Sequence, residues 1–247
     1  MISEVTLAKK FTSFWNQLLP NSNNFMRVIN RGLVENLKGN YELSENTRPI
    51  NVSLINVLSF KLLKSVVTKE ISFDNCLRES FFTSDDFNKV LTASIFYLKR
   101  FSNKSGLLLP LNKDELNEVI HLFVCLYKRY ESFFSVIEIS PIFQGCGFVN
   151  KSEGDIFFTD TLVELKSGKR NFSITDIRQL LVYCTLNHYA NKEKRQIKNI
   201  ELFNPRMGLA YKTSLIDLSE NLGSLAHEDL LFEIHSFITE SNLIETL

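Results

Sequence analysis

Apolar residues recur at helical spacing through the first half of the chain and crowd at strand-like density in the second. Over residues 1–20, Val5, Phe11, Phe14, Trp15 and Leu18 form one apolar side, and Pro20 with the polar run 21–24 ends it, which predicts a short helix. A second helix is expected over 25–38, stopped near Gly39, and the polar stretch 40–53 with Pro49 reads as loop. Helical spacing resumes over 53–67. Ser84-Asp85-Asp86 caps a helix expected to reach about Phe101 and to bury Phe87, Leu91, Ile95 and Leu98. The strongest helical pattern spans 112–131, where Leu116, Val119, Ile120, Phe123, Val124 and Tyr127 make a stripe that Glu115 and Glu118 lie outside.

Beyond residue 135 the pattern changes. A strand is expected over 136–139, ended by Pro141, and Gly145-Cys146-Gly147 marks a turn or a close backbone approach. Segments 155–159 and 161–166 are almost continuously apolar, as strands buried on both faces are. A helix capped at Ser173 or Thr175 runs to about Tyr189, followed by a basic loop over 191–196. A strand over 197–203, a turn from Asn204 to Gly208, a strand over 209–218 and a helix over 226–239 complete the chain. This alternation predicts an α/β fold with a mixed central sheet flanked by helices. The boundary is placed at 110: residues 1–110 form an all-helical cap or interaction region, and 111–247 the sheet-bearing core with its C-terminal helix.

Three charges break the apolar strands: Asp155, Glu164 and Lys166. Buried charges must be paired or bound to a metal. With a two-residue turn at Asp160-Thr161, position 155 faces 166 and 157 faces 164, and all three charges project from one face of the hairpin. Two converging carboxylates repel, and a divalent cation relieves that repulsion; their hard oxygens favour magnesium or manganese. A lysine beside them can orient water or stabilise charge growing on a phosphate oxygen. On the next helix, Gln179 and Tyr183 stand four apart and share a face, with Arg178 adjacent.

Composition narrows the partners. The formal net charge is zero, so no global field draws in nucleic acid, yet residues 161–212 hold ten Lys and Arg against four Asp and Glu. Lys169, Arg170, Arg178 and Arg206 are the candidate phosphate contacts in that stretch. The four cysteines are widely spaced with no C-x-x-C, which speaks for reduced thiols rather than a zinc site. No phosphate-binding glycine loop of the NTPase kind occurs. No run of 18 apolar residues and no signal-peptide order at the N-terminus are found, so a cytoplasmic protein without a membrane span is expected.

Gly154-Asp155, Glu164-Leu165-Lys166 and Gln179-x-x-x-Tyr183, in that order, resemble the PD-(D/E)xK nuclease superfamily, in particular its RecB-type branch with a Q-x-x-x-Y helix. Gly154 stands where the nominal motif has proline, and the cysteine cluster of the iron–sulfur members is missing. The resemblance covers about residues 112–218. It implies a restriction-endonuclease-like αβββαβ core and a magnesium-dependent nuclease acting on DNA, in bacterial or phage defence or in DNA processing. Asp155 and Glu164 would ligate the metal with the backbone carbonyl of Leu165, Lys166 would position the attacking water or stabilise the transition state, and Gln179 and Tyr183 would hold DNA or the active-site network. A glutamate of the first core helix would complete the metal set, with Glu118 the better candidate and Glu115 the second. The alternatives are a silent nuclease-fold subunit acting in nucleic-acid binding or assembly, and an RNA-directed nuclease. The near-neutral chain points to a protein partner or a second copy bound through residues 1–110.

Overall fold

The computed structural model describes residues 1–37, 44–100, 106–192 and 194–240; the helix ends expected near Gly39 and Phe101 lie outside these. In chain order the elements are α1 (Glu4–Lys9), α2 (Thr12–Leu18), α3 (Ser22–Val28), β1 (Glu35–Asn36), α4 (Val52–Val67), α5 (Phe73–Cys76), α6 (Asp85–Lys99) and α7 (Lys113–Tyr130). There follow β2 (Glu138–Ile139), β3 (Ile142–Phe143), β4 (Ser152–Glu153), β5 (Ile156–Phe158), β6 (Thr161–Leu165), α8 (Ile174–His188), β7 (Asn199–Asn204), β8 (Leu209–Ser214), α9 (Leu215–Gly223) and α10 (His227–Glu240). They fall into two compact units. One comprises Met1–Lys38, Val136–Asn204 and Gly208–Leu247; the other comprises Gly39–Ser135 with Pro205–Met207. The division does not run at residue 110, because the first helices belong with the sheet.

The first unit is α/β. Its six strands lie in the order β1-β8-β7-β6-β5-β2, with β6 and β7 parallel and the other pairs antiparallel. Parallel neighbours need a crossover, and α8 supplies it. That helix is buried over its whole girth from Asp176 to Asn187. A helix without a wet face must be covered on both sides. The β6 and β7 face carrying Leu162, Ile200 and Leu202 packs with its Ile177, Leu180, Leu181 and Cys184 in the unit's core, together with Leu7, Trp15, Leu231 and Ile234 of the other helices. Gly147 adopts φ +51, and a Cβ there would stand 2.2 Å from the Ile238 carbonyl oxygen, so this turn needs glycine to let α10 approach.

Local chemistry explains where the elements depart from their predicted bounds. The single helix expected over 1–20 is two, parted at Phe11, whose φ of 56° is left-handed. The helix expected over 25–38 ends at Val28 in a π-turn, and Glu35–Asn36 pairs with β8 as an edge strand. The strand expected over 209–218 stops at Ser214, whose hydroxyl accepts from the Asp217 amide and starts α9.

In the second unit α4 and α7 pack through Leu54, Leu58, Leu62, Val119, Leu122 and Phe123, all buried, and the Ser59 hydroxyl donates to the Val119 carbonyl at 3.0 Å. Pro49–Val67 is long and apolar enough to cross a membrane, although Lys61 and Lys64 interrupt its apolar run; Leu54, Ile55, Leu58, Leu62 and Leu63 are fully buried here. Asn112 and Glu115 form a reciprocal capping box at the start of α7. The expectation that Glu115 and Glu118 lie outside the buried stripe does not hold: both are fully buried. Glu115 accepts from Arg48 Nε (2.8 Å) and Asn51 Nδ2 (3.0 Å), and Glu118 accepts from Thr47 Oγ1 (2.9 Å) and pairs with Arg206. Cations and amides facing α7 make these positions internal, which helical periodicity cannot register.

Candidate active site

The hairpin turn falls at Thr159-Asp160, one residue before the expected place. Thr159 takes a left-handed φ of 49°, and Phe158 pairs with Thr161, Phe157 with Leu162 and Ile156 with Val163. Continuing that register sets Asp155 opposite Glu164 instead of Lys166. The offset from the expected pairing is two residues, an even number, so the face is kept. Asp155, Glu164 and Lys166 therefore still share the face that Leu162 presents to α8. The Asp155 Oδ2 accepts from the Leu165 amide at 2.7 Å, so a side chain closes the ladder where the strand ends.

The facing helix organises the lysine. Lys166 Nζ donates to Glu164 Oε1 (2.6 Å) and to Gln179 Oε1 (2.9 Å). Gln179 Nε2 donates to the Tyr183 hydroxyl (3.0 Å), which lies 3.1 Å from the Glu153 carbonyl oxygen and 3.3 Å from Glu4 Oε1. The expected pair on one helical face thus forms a continuous chain of hydrogen bonds from the lysine to the acid of α1. Glu4 is held by the Ser152 hydroxyl at 2.9 Å, and the start of the chain is pinned by Ile2, whose amide donates to the Phe148 carbonyl at 2.8 Å.

Electrostatics sets these carboxyls apart from ordinary surface acids. Burial and then the neighbouring Asp155 charge push the Glu164 carboxyl up to about 8, against the pull of Lys166. Asp155 is pushed up to about 6, chiefly by burial, with the Leu165 hydrogen bond and Lys166 opposing. Burial would lower Lys166, but the carboxylates of Glu164, Asp176 and Asp155 outweigh it and hold the amine above its usual value. Tyr183 is raised well above the usual phenol range by burial and the surrounding acids, so it stays a hydrogen-bond donor. Glu164 Oε2 is buried and accepts no hydrogen bond. A buried carboxylate oxygen with no donor is costly, and a hard cation is the partner that fits it. Asp155 and Glu164 suit magnesium or manganese in donor type. Among the described residues, no group of three or more His, Cys, Asp or Glu side chains stands at metal-binding spacing.

The other expected residues have other surroundings. Glu118 belongs to the second unit, where Arg206 and Thr47 use its carboxylate. Arg206 is itself buried there and also donates to Asn56 Oδ1 at 2.8 Å. Arg178 is buried over the Trp15 ring, 5.5 Å from its centroid, with burial lowering its basicity. Arg170 forks onto Asp176 at 2.7 and 2.8 Å, and Lys169 is exposed. Much of the local basic excess is therefore engaged by partners within the chain, including Arg195 on Glu138. Glu4 and Asp176 are the residues that sequence reasoning missed. Asp176 had a signal, its i, i+3 spacing to Gln179; Glu4 had none, standing about 150 positions before the strands it joins.

No protein-family model matches the chain, and no curated protein matches it in sequence.

Proposed function

We propose that the chain is a magnesium- or manganese-dependent nuclease that hydrolyses DNA phosphodiester bonds, built on a restriction-endonuclease-like core. The observation that carries this is Asp155 and Glu164 meeting on one face of the hairpin, with an unpaired buried oxygen on Glu164 and Lys166 2.6 Å from its other oxygen. The β2-β5-β6-β7 order with α8 as crossover supports the core. Asp155 and Glu164, with the Leu165 carbonyl, would hold the metal, which when bound activates water towards phosphorus and neutralises the leaving oxygen. Lys166, fixed between Glu164 and Gln179, would bring its charge beside the attacked group. Tyr183 fixes the orientation of the Gln179 amide, so that its oxygen and not its nitrogen meets the lysine. Glu4 of α1 ends this hydrogen-bond chain at Tyr183 and is not counted with the metal-holding pair. DNA processing or defence against foreign DNA in the cytoplasm is the setting proposed.

The lack of a three-acid cluster among the described residues favours a second reading, a nuclease-fold subunit that binds nucleic acid or assembles without cutting. The two separate in one experiment. The purified protein and its Lys166→Ala variant are incubated with linear, circular and single-stranded DNA and with RNA, in magnesium, manganese or EDTA. Metal-dependent cleavage that falls by about a hundredfold or more in the variant is expected from removal of a transition-state contact. RNA cut in preference to DNA would correct the substrate class. Binding without cleavage in either metal would replace the nuclease reading with the second.

A further inference from the structure

Asp176 lies three residues before Gln179 on α8 and does more than its place in the helix requires. As the third residue of the helix it accepts from the Ser173 amide at 2.8 Å and completes a capping box. That role needs one oxygen. Both are engaged: Oδ2 also takes the Ser173 hydroxyl (2.9 Å) and Arg170 Nη1 (2.7 Å), while Oδ1 takes Arg170 Nη2 (2.8 Å) and stands 3.6 Å from Lys166 Nζ. The side chain is 3% exposed, whereas Arg170 is 50% exposed. An ammonium has three protons. Two go to Glu164 and Gln179, and the carboxylate of Asp176 sits on a third side of the amine. Glu164 alone would draw the amine down onto the metal-binding oxygens. Asp176 pulls from the helix side and opposes that draw.

We propose that Asp176 is a positioning residue for Lys166. It holds the amine between the two carboxylates, and Arg170 anchors it from the solvent side. This deepens the nuclease reading and rests on it for its kinetic arm only.

The test compares Asp176→Asn, which keeps a capping oxygen and removes the charge, with Ser173→Ala, which weakens the same cap without touching Lys166. Asp176→Gln is a second neutral variant that can cap at this position if Asn compromises folding. Steady-state cleavage in magnesium and the rate of reductive methylation of Lys166, followed by mass spectrometry on the metal-free full chain, are measured for each. Expected for Asp176→Asn are a kcat lower by about tenfold or more, as for a misplaced catalytic group, and a KM within about twofold. Lys166 is expected to be labelled several-fold faster, while Ser173→Ala keeps the wild-type kcat and labelling rate. Equal kcat losses in the two variants with unchanged labelling would reduce Asp176 to a helix cap and overturn the proposal. If the wild type does not cleave, the nuclease reading fails, and the labelling rate alone decides the positioning of Lys166: faster labelling supports it, and an unchanged rate overturns it.

Discussion

Asp155 and Glu164 cost the metal-free fold stability, and pH exposes that cost. Both carboxyls hold protons more tightly in the folded chain than in the unfolded one, where carboxyls titrate near about 4. Their stabilisation is fully present below that value and is lost as pH rises through about 6 for Asp155 and about 8 for Glu164. Lys166, held above its usual value, does not titrate in this window. The melting temperature of the metal-free protein should therefore fall as pH rises from about 4 to about 8, and magnesium should raise it more at the upper end. Calorimetric scans with magnesium or EDTA check this; superimposable pH profiles would contradict it. Asp155→Asn keeps an oxygen for the Leu165 amide and removes the repulsion. It should raise metal-free stability by about 1 kcal/mol at the alkaline end while abolishing cleavage, a trade of the kind active sites show. At this scale much of the site was legible, because E-x-K and Q-x-x-x-Y are local spacings. What was not legible was occupancy: nothing in the order of residues says that Arg178 is buried against Trp15 or that Arg206 is claimed by Glu118.

Among the elements, the hairpin and α8 were readable from pattern, since two apolar runs around a short turn and a capped helix are each fixed locally. The turn was misplaced by one residue because Thr159, a β-branched residue, takes the left-handed conformation that usually marks glycine or asparagine. Parity protected the conclusion. Helix α7 shows the opposite outcome. Its position was clear, but Glu118 was expected to reach a metal and instead meets Arg206 inside the second unit. Both side chains are essentially inaccessible, so Glu118→Ala removes a buried carboxylate that Arg206 meets. Glu118→Ala should cost about 3–5 kcal/mol in urea unfolding, as breaking a buried pair does, with magnesium affinity by calorimetry unchanged. A loss of magnesium affinity in a folded Glu118→Ala protein would restore it as a ligand.

Taken as a whole, the chain builds its sheet-bearing unit from segments that 97 residues of the other unit interrupt, Gly39–Ser135. No window of sequence could reveal this, because the first helices and the sheet each look independent. The docking of α1 on α8 brings together positions as far as 179 apart (Glu4 and Tyr183), against 60 for the α4–α7 contact at Ser59 and Val119, and the shorter closure forms faster. Pulsed hydrogen exchange during refolding of the full chain should show amides of α4 and α7 protected before those of α1; the reverse order would contradict it. The same connectivity governs timing in synthesis. Glu4 and Tyr183, 3.3 Å apart in the fold, are 179 positions apart in the chain. At ribosomal elongation rates, on the order of ten seconds or more separate their appearance. A nascent chain thus carries Glu4 through the addition of 179 further residues before Tyr183 arrives, and their contact can close only after α8 has left the ribosome.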